Sequence, residues 1–451
     1  LSLFHPGKDP RMRLVLISAA LSALAAADPA AATAPASVPA TTGATATASA
    51  TAALTLGEAI RLAEARNEDP AIALERLRAA RASQRQITAR LLPALRADGR
   101  LARSDGDGPG GPEDRASGSI GIEMSLIDLE TWMDRRAAQE RVAAQGLRVE
   151  DARRSLAFEV ADAFHARLAA GALVIAAERR VQVARQIVDR ARARFNAGLD
   201  DRQSVTRAEL DLATAEQSLT ARRNDILTSG LTLAAIIGDG PDLAERPLAH
   251  PATAPIPAAA LADLVQRARQ RRPDLLALER DVASAQAAAR SPRAEWVPVV
   301  SAGASADSAF TDPPGENDQG WNAYLQARWT LYDGGARYAR AEGADAELRI
   351  NELTLAKAER RIATDIRSAQ ADLDTADSAV RQGEARLRLA RQNAEEVRAK
   401  ADAGLTTPID AADALAELFQ AEADLATRQF ARARAALRVR ELVGDWPEDR
   451  P

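Results

Sequence analysis

Asp410 and Asp413 stand three positions apart in a run with helical spacing, so their carboxylates share one side of a helix. Both come soon after Gly404, early on that helix. Two carboxylates so placed favour cations, and crowding of like charges raises carboxylate pKa values. The plainer reading is that acids in a first turn complement the helix macrodipole, each contributing about 0.3–1 kcal/mol. Catalysis fits less well. Carboxylates recur along the chain near arginines at i,i+4 spacing, where ion pairing is their ordinary role. His5, His165 and His250 are isolated from any ligand-spaced partner, so no metal site is predicted. Ser204 and Ser301 lack a nucleophile elbow. The glycines from Gly106 to Gly111 lie in an acidic stretch between predicted strands, not before a helix, which argues against a phosphate loop. These residue types predict neither an enzyme nor a cofactor.

The elements that position the acids are helical. Aromatic residues make up 3% of the 451, and alanine supplies much of the 46% apolar content. Alanine favours helix and lets helices approach closely, so an extended coiled bundle fits better than a thick globular core. Acidic and basic residues are interspersed with a net charge of -5, which reads as a solvated surface and not as a nucleic-acid footprint. Met12-Arg13, the apolar run Leu14 to Leu24 and Ala25-Ala26-Ala27 predict a signal peptide over 12–27, with residues 1–11 upstream of the true start. Residues 28–53, mostly Ala, Thr, Pro and Ser, predict a disordered linker. The sequence has no cysteine, so it predicts no disulfide, no zinc-thiolate site and no lipidated N-terminal cysteine. No uninterrupted run of 18 apolar residues follows the signal peptide; an exported chain of this kind is periplasmic, extracellular or a membrane β-barrel.

The chain is a tandem duplication. Met124 to Asp128 precedes Trp329 to Asp333 by 205 residues, and Ala197-Gly198-Leu199 precedes Ala403-Gly404-Leu405 by 206. Val142, Val149, Leu156 and Ala163 repeat every seven residues and match Leu348, Leu355, Ile362 and Ala369; Val174, Val181, Val188 and Phe195 match Val380, Leu387, Ala394 and Ala401. Each half therefore predicts a helix (55–91 or 261–295), two strands (94–104 and 117–127, or 297–308 and 321–332), a long helix (128–197 or 335–402) and a return helix (200–237 or 408–443). The halves span 54–240 and 261–446, joined by a linker over 241–260 and followed by a tail over 447–451. The long helices, free of proline, should reach about 105 Å at 1.5 Å per residue. Gly198 and Gly404 turn the chain at the end farthest from the strands, beside Leu199 and Leu405.

Ile120, Ile122, Met124 and Leu126 alternate with polar or small residues, as do Ala323, Leu325, Ala327, Trp329 and Leu331, which predicts strands with one apolar face. Four strands cannot close a barrel, and an open sheet edge is untenable in lipid, so several copies must combine. Three copies give twelve strands. Trp296, Trp321, Trp329 and Tyr332 fall near strand ends, where a membrane aromatic belt would sit; the alternative is core aromatics of a soluble sheet.

The sequence resembles the TolC, or outer-membrane efflux protein, family over Leu54 to Trp446. The markers are Leu54-Thr55-Leu56-Gly57-Glu58-Ala59, the Asn67-Glu68-Asp69-Pro70 break, Leu91-Leu92-Pro93, Arg194-Phe195-Asn196-Ala197-Gly198-Leu199 and Leu331-Tyr332-Asp333-Gly334-Gly335, in this order and in duplicated halves. The resemblance implies a mainly α fold with a trimeric twelve-strand barrel in the outer-membrane lipid. A twelve-helix tunnel would run through the periplasm and serve efflux or type I secretion. Its implied partners are two further copies, a periplasmic adaptor that engages the turns at Gly198, Leu199, Gly404 and Leu405, and an inner-membrane pump of the RND or ABC type. It also matches Asp410 and Asp413 to the paired aspartates of the periplasmic aperture. In the first half Ser204 and Arg207 stand at the corresponding positions, so Arg207 is expected to pair with the acidic ring and hold it shut. Asp128-Leu129-Glu130 departs from Asp333-Gly334-Gly335, so the two long helices need not begin alike. Two rival readings are a periplasmic adaptor, which would carry one hairpin instead of two, and a cytoplasmic coiled coil, which the signal peptide and the strands oppose.

Overall fold

The computed structural model describes residues 53–104, 113–251, 260–312, 318–403, 405–406 and 408–447. The predicted signal peptide, the expected start at Met12 and most of the predicted 28–53 linker lie outside them. The first half begins with α1 (Leu56–Arg66) and α2 (Glu68–Ala89), where one helix over 55–91 was the expectation. Asn67 divides them: its backbone is extended, its side chain accepts from the Asp69 N–H (2.8 Å), and its amide donates to the Ile236 carbonyl (2.8 Å). Then follow strands β1 (Ala94–Ser104) and β2 (Glu113–Ile127), the long helix α3 (Leu129–Asn196) and the return helix α4 (Arg202–Ile237). The 241–260 segment is more than a linker. It holds a 3-10 helix (Pro241–Glu245), and Leu248 bridges to Leu54.

In the second half the helix predicted over 261–295 is three pieces, α5 (Leu261–Arg271), α6 (Pro273–Ala288) and α7 (Ser291–Ala294). Pro273 and Pro292 each open a new helix because proline has no N–H to donate and fits a first turn. Strands β3 (Val299–Asp312) and β4 (Asp318–Arg328) precede the long helix α8 (Ala336–Asp402) and the return helix α9 (Pro408–Val443). At 68 and 67 residues, α3 and α8 each run about 100 Å.

The four strands form one antiparallel sheet in the order β1-β2-β3-β4, so the two predicted hairpins are joined through β2 and β3. β2 and β3 extend beyond the predicted 117–127 and 297–308, since backbone pairing, from Ser104 opposite Glu113 to Asp114 opposite Asp312, continues where the apolar alternation has stopped. β4 stops at Arg328, short of the predicted 332. Asp333 accepts from the N–H of Gly335 (3.2 Å) and of Arg337 (2.9 Å), and the Arg337 guanidinium donates to the Thr330 carbonyl (2.6 Å), so these residues form a helix entry instead. In the first half Asp128 caps α3 directly through the Thr131 N–H (2.9 Å); the second half adds two left-handed glycines, Gly334 and Gly335.

Two core clusters occupy equivalent places. Leu156, Val160, Leu233 and Ile237 join Ala59 and Ala63 in the first; Ile362, Ile366, Val439 and Val443 join Leu264 and Ala268 in the second. Of the heptad rows, Val149, Leu156, Val181 and Val188 are buried on α3, whereas Phe195, at the last turn, is exposed. An 18-residue window within α3 reaches a mean hydropathy of 1.5, yet only 33% of it is buried in a single chain.

Candidate channel surfaces

The sheet has two chemically distinct faces. On one, the cross-strand rows Leu95–Ile122–Ala304–Ala323 and Ala97–Ile120–Ala306–Trp321 are apolar, and Ile120, Ile122, Trp321 and Leu325 stand exposed. On the other, Arg96, Asp98, Ser119, Glu123, Ser305, Asp307, Asn322 and Gln326 alternate with small residues. Edge strands β1 and β4 each have one neighbour in the chain.

The predicted belt aromatics divide between the two ends of the sheet. Trp321 lies three residues into β4 near the distal hairpin and is 81% exposed, while Trp329 and Tyr332 follow the other end of that strand and Trp296 precedes β3. Trp296 is partly covered. The Arg337 guanidinium lies 4.1 Å above its ring, and the Tyr338 ring meets it edge-on at 6.1 Å. Arg337 is itself buried, near Asp333 (3.7 Å) and Glu295 (4.0 Å), and Arg340 pairs with the same two carboxylates. Burial, then repulsion from Glu295, Asp134 and Asp128, pushes the neighbouring Glu130 carboxyl up. Sequence reading missed Trp132 and Tyr338, both exposed near the helix entries, with Arg135 stacked 5.4 Å over Trp132. Their 206-residue separation, the repeat offset, was the available signal.

At the far end, α3 closes with the Gly198 N–H on the Phe195 carbonyl (2.9 Å) and the Leu199 N–H on the Arg194 carbonyl (2.9 Å), with Gly198 at φ 73°. This is a Schellman turn. The Leu405 N–H reaches the Lys400 carbonyl (2.8 Å) in the same way; Gly404 lies outside the described residues. The turns present Leu199 and Leu405 at 68% and 78% exposure.

Beside these turns, Asp410 and Asp413 are both exposed on α9. Asp410 accepts from the Thr406 hydroxyl (2.8 Å). Ser204 takes another part: its N–H donates to the Asp201 carboxylate (2.9 Å) and its hydroxyl to Asp200 (3.1 Å) and Asp201 (2.8 Å), starting α4. The N–H bond, then the hydroxyl bond, holds the Asp201 carboxyl below the usual range. Ser204, Arg207 and Asp413 line one groove of about 240 Å³ with Ile187, Ala191 and Ala412. Asp410 is not among its lining residues, and within one chain no ion pair joins Arg207 to Asp413.

The comparisons with known proteins cover both halves. The fusaric acid resistance protein FusA of Burkholderia cepacia is 27% identical over 246 residues, 52% of this chain and 45% of that protein, so the match spans less than half of the relative. In fold, the outer membrane protein VceC of Vibrio cholerae superposes with a TM-score of 0.75 at 18% identity, covering 87% of this chain and 97% of VceC's. The CmeC outer membrane channel of Campylobacter jejuni gives 0.75 at 15%, covering 86% and 85%. Neither rival reading, adaptor or cytoplasmic coiled coil, gains support from these likenesses. The outer membrane efflux protein family matches twice, over residues 59–239 and 264–445, which puts the sheet in the outer membrane and the helices in the periplasm: the chain belongs to that family.

Proposed function

We propose that three copies of this chain close a barrel and form an export duct, which a periplasmic adaptor connects to an inner-membrane pump of the RND or ABC class. The sheet carries the reading: one face is apolar and exposed, the other polar, and β1 and β4 are free to pair with neighbouring copies. Joining β1 of one copy to β4 of the next removes every edge and turns the apolar face to lipid. Trp321 is eight residues from Trp329 on or just beyond one strand, about 26 Å along the strand at 3.3 Å per residue and about 20 Å along the barrel axis at a tilt of about 40°, which places the two toward opposite interfaces of a membrane. Trp296, Trp329 and Tyr332 would belong to the periplasmic girdle and Trp321 to the outer one. Leu199 and Leu405 would anchor the adaptor, and Asp410 and Asp413 would line the aperture. Arg207 would meet the acids of a neighbouring copy. Detergent-extracted protein should migrate as a heat-modifiable trimer and give stable single channels in planar bilayers. Migration as a monomer at all temperatures, with no conductance, would defeat the reading.

A further inference from the structure

Gly303 on β3 stands directly opposite Tyr324 on β4, and both belong to the polar face. A methyl group built on Gly303 would lie 2.6 Å from the Tyr324 Cζ and from its phenolic oxygen, so the ring occupies the space that any side chain at Gly303 would need. On its other side Gly303 faces Glu123 of β2, whose carboxylate meets Arg96 of β1 at 3.4 Å. The ring therefore lies back along the sheet, over a neighbouring strand. We propose that Gly303 is the recess that holds Tyr324 flat on the barrel wall, and that this pair keeps the bore of the barrel open.

The inference rests on the reading that the polar face lines the lumen. Twelve strands about 4.8 Å apart and tilted about 40° close at a backbone radius of about 12 Å. A phenol standing off that wall reaches roughly halfway to the axis, and a threefold barrel holds three at one level. Laid flat, the rings leave the bore open and offer it aromatic faces. Only glycine permits this, because any Cβ drives the ring inward or the strands apart.

Single-channel recording of purified trimers tests the pair. Gly303→Ala should lower conductance by about two-fold or more, and Gly303→Ala with Tyr324→Ala should restore it. If Gly303→Ala prevents assembly, the double variant should recover the heat-modifiable trimer. Unchanged conductance in Gly303→Ala, or a double variant that restores neither conductance nor assembly, overturns the proposal. Ser305→Cys, on the same face, separates the two readings. Block of that variant by a charged thiol reagent confirms the lumen face, so a negative Gly303 result then counts against the recess alone. A reagent without effect means that the face reading has failed and takes the recess with it.

Discussion

The Arg154 guanidinium donates a 2.7 Å hydrogen bond to the Glu441 carbonyl, joining the middle of α3 to the last turn of α9. The two halves of the duplication are thus tied by a side chain that is 5% exposed. Its charge is supported by Asp151 at 3.7 Å and by the Phe158 ring, 5.8 Å from the guanidinium carbon. Burial lowers the Arg154 pKa and, with repulsion from Asp274, raises that of Asp151. Removing the cation leaves the Glu441 carbonyl with only the Gly444 N–H (3.3 Å) and takes the nearest cation from the partly buried Asp151 carboxylate. Arg154→Leu should therefore destabilise the protein by about 3 kcal/mol, and Arg154→Lys by less. Chemical denaturation followed by circular dichroism checks this; a loss below 1 kcal/mol for Leu, on the scale of a surface change, would mean that the tie is incidental.

The glycines that end the helices separate backbone strain from lack of space. Gly198, Gly238 and Gly444 have φ of 73°, 74° and 88°. A Cβ on Gly198 meets nothing within 4 Å, whereas on Gly238 it would lie 3.1 Å from the Arg66 carbonyl oxygen and on Gly444 2.9 Å from the Arg271 Cβ. Gly198→Ala should cost about 1 kcal/mol, the left-handed penalty alone, and the other two at least about 2 kcal/mol each. Equal losses at all three positions would show that the close approach of these helix ends is not what demands glycine.

Much of this fold was legible because the duplication repeats each signal. Leu156 and Ile362, 206 residues apart, enter equivalent cores beside Leu233 and Val439, as a shared register requires. The paired clasps Arg66–Asp239 and Arg271–Asp445 are related by offsets of 205 and 206 residues, though from sequence they read as ordinary surface charges. Pairing of β2 with β3 was not legible, since 171 residues separate Ile127 from Val299 and alternation shows a strand's faces but not its neighbour. Arg154 was missed because an arginine between heptad positions reads as solvated until the last turn of α9 covers it. Around the proposed aperture, the three-residue spacing and the family resemblance picked out the acids, but the part Ser204 plays with Asp200 and Asp201 depends on the turn that brings them together.

His165 makes stability depend on pH. Burial in α3 disfavours its charged form and lowers its pKa, against the opposing pull of Asp162. A lowered histidine contributes stability that is complete above the unfolded value near 6.5 and is lost as pH falls toward the folded value, because the unfolded chain takes up a proton that the folded chain refuses. Within that window the slope approaches about 1.4 kcal/mol per pH unit for each chain. The melting temperature should fall between pH 7 and pH 5.5, and His165→Gln should flatten that part of the profile. A profile unchanged by the substitution would assign the acid sensitivity to other groups.

The turns carry the partner reading. Leu199 and Leu405 are held outward by backbone hydrogen bonds, so charged replacements should leave the helices and the barrel intact. Leu199→Asp with Leu405→Asp should abolish export in cells while heat-modifiable trimers persist, because an apolar anchor has become an unpaired charge at an interface. Full export by the double variant would exclude these turns as the adaptor's contact.

The acidic face of α9 gives the sharpest test of the channel reading. Asp410 and Asp413 project from the first two turns of α9 beside the exposed turn at Leu405, and neither is covered by its own chain. Three copies around an axis would bring six carboxylates to one constriction, where the field favours cations and binds multivalent ones. Arg207, on the groove that Asp413 also lines, would reduce that field and hold the helices together when copies meet. The two charges should therefore act in opposite directions. Asp410→Ala with Asp413→Ala should remove cation preference and block by multivalent cations added on the periplasmic side of a reconstituted bilayer. Arg207→Ala should strengthen both and raise the fraction of time spent open. If the aspartate variant keeps the selectivity and block of the unaltered channel, these residues face away from the pore and act only on the macrodipole of α9. If Arg207→Ala leaves open probability unchanged while the aspartates govern selectivity, the aperture stands but its arginine lock does not.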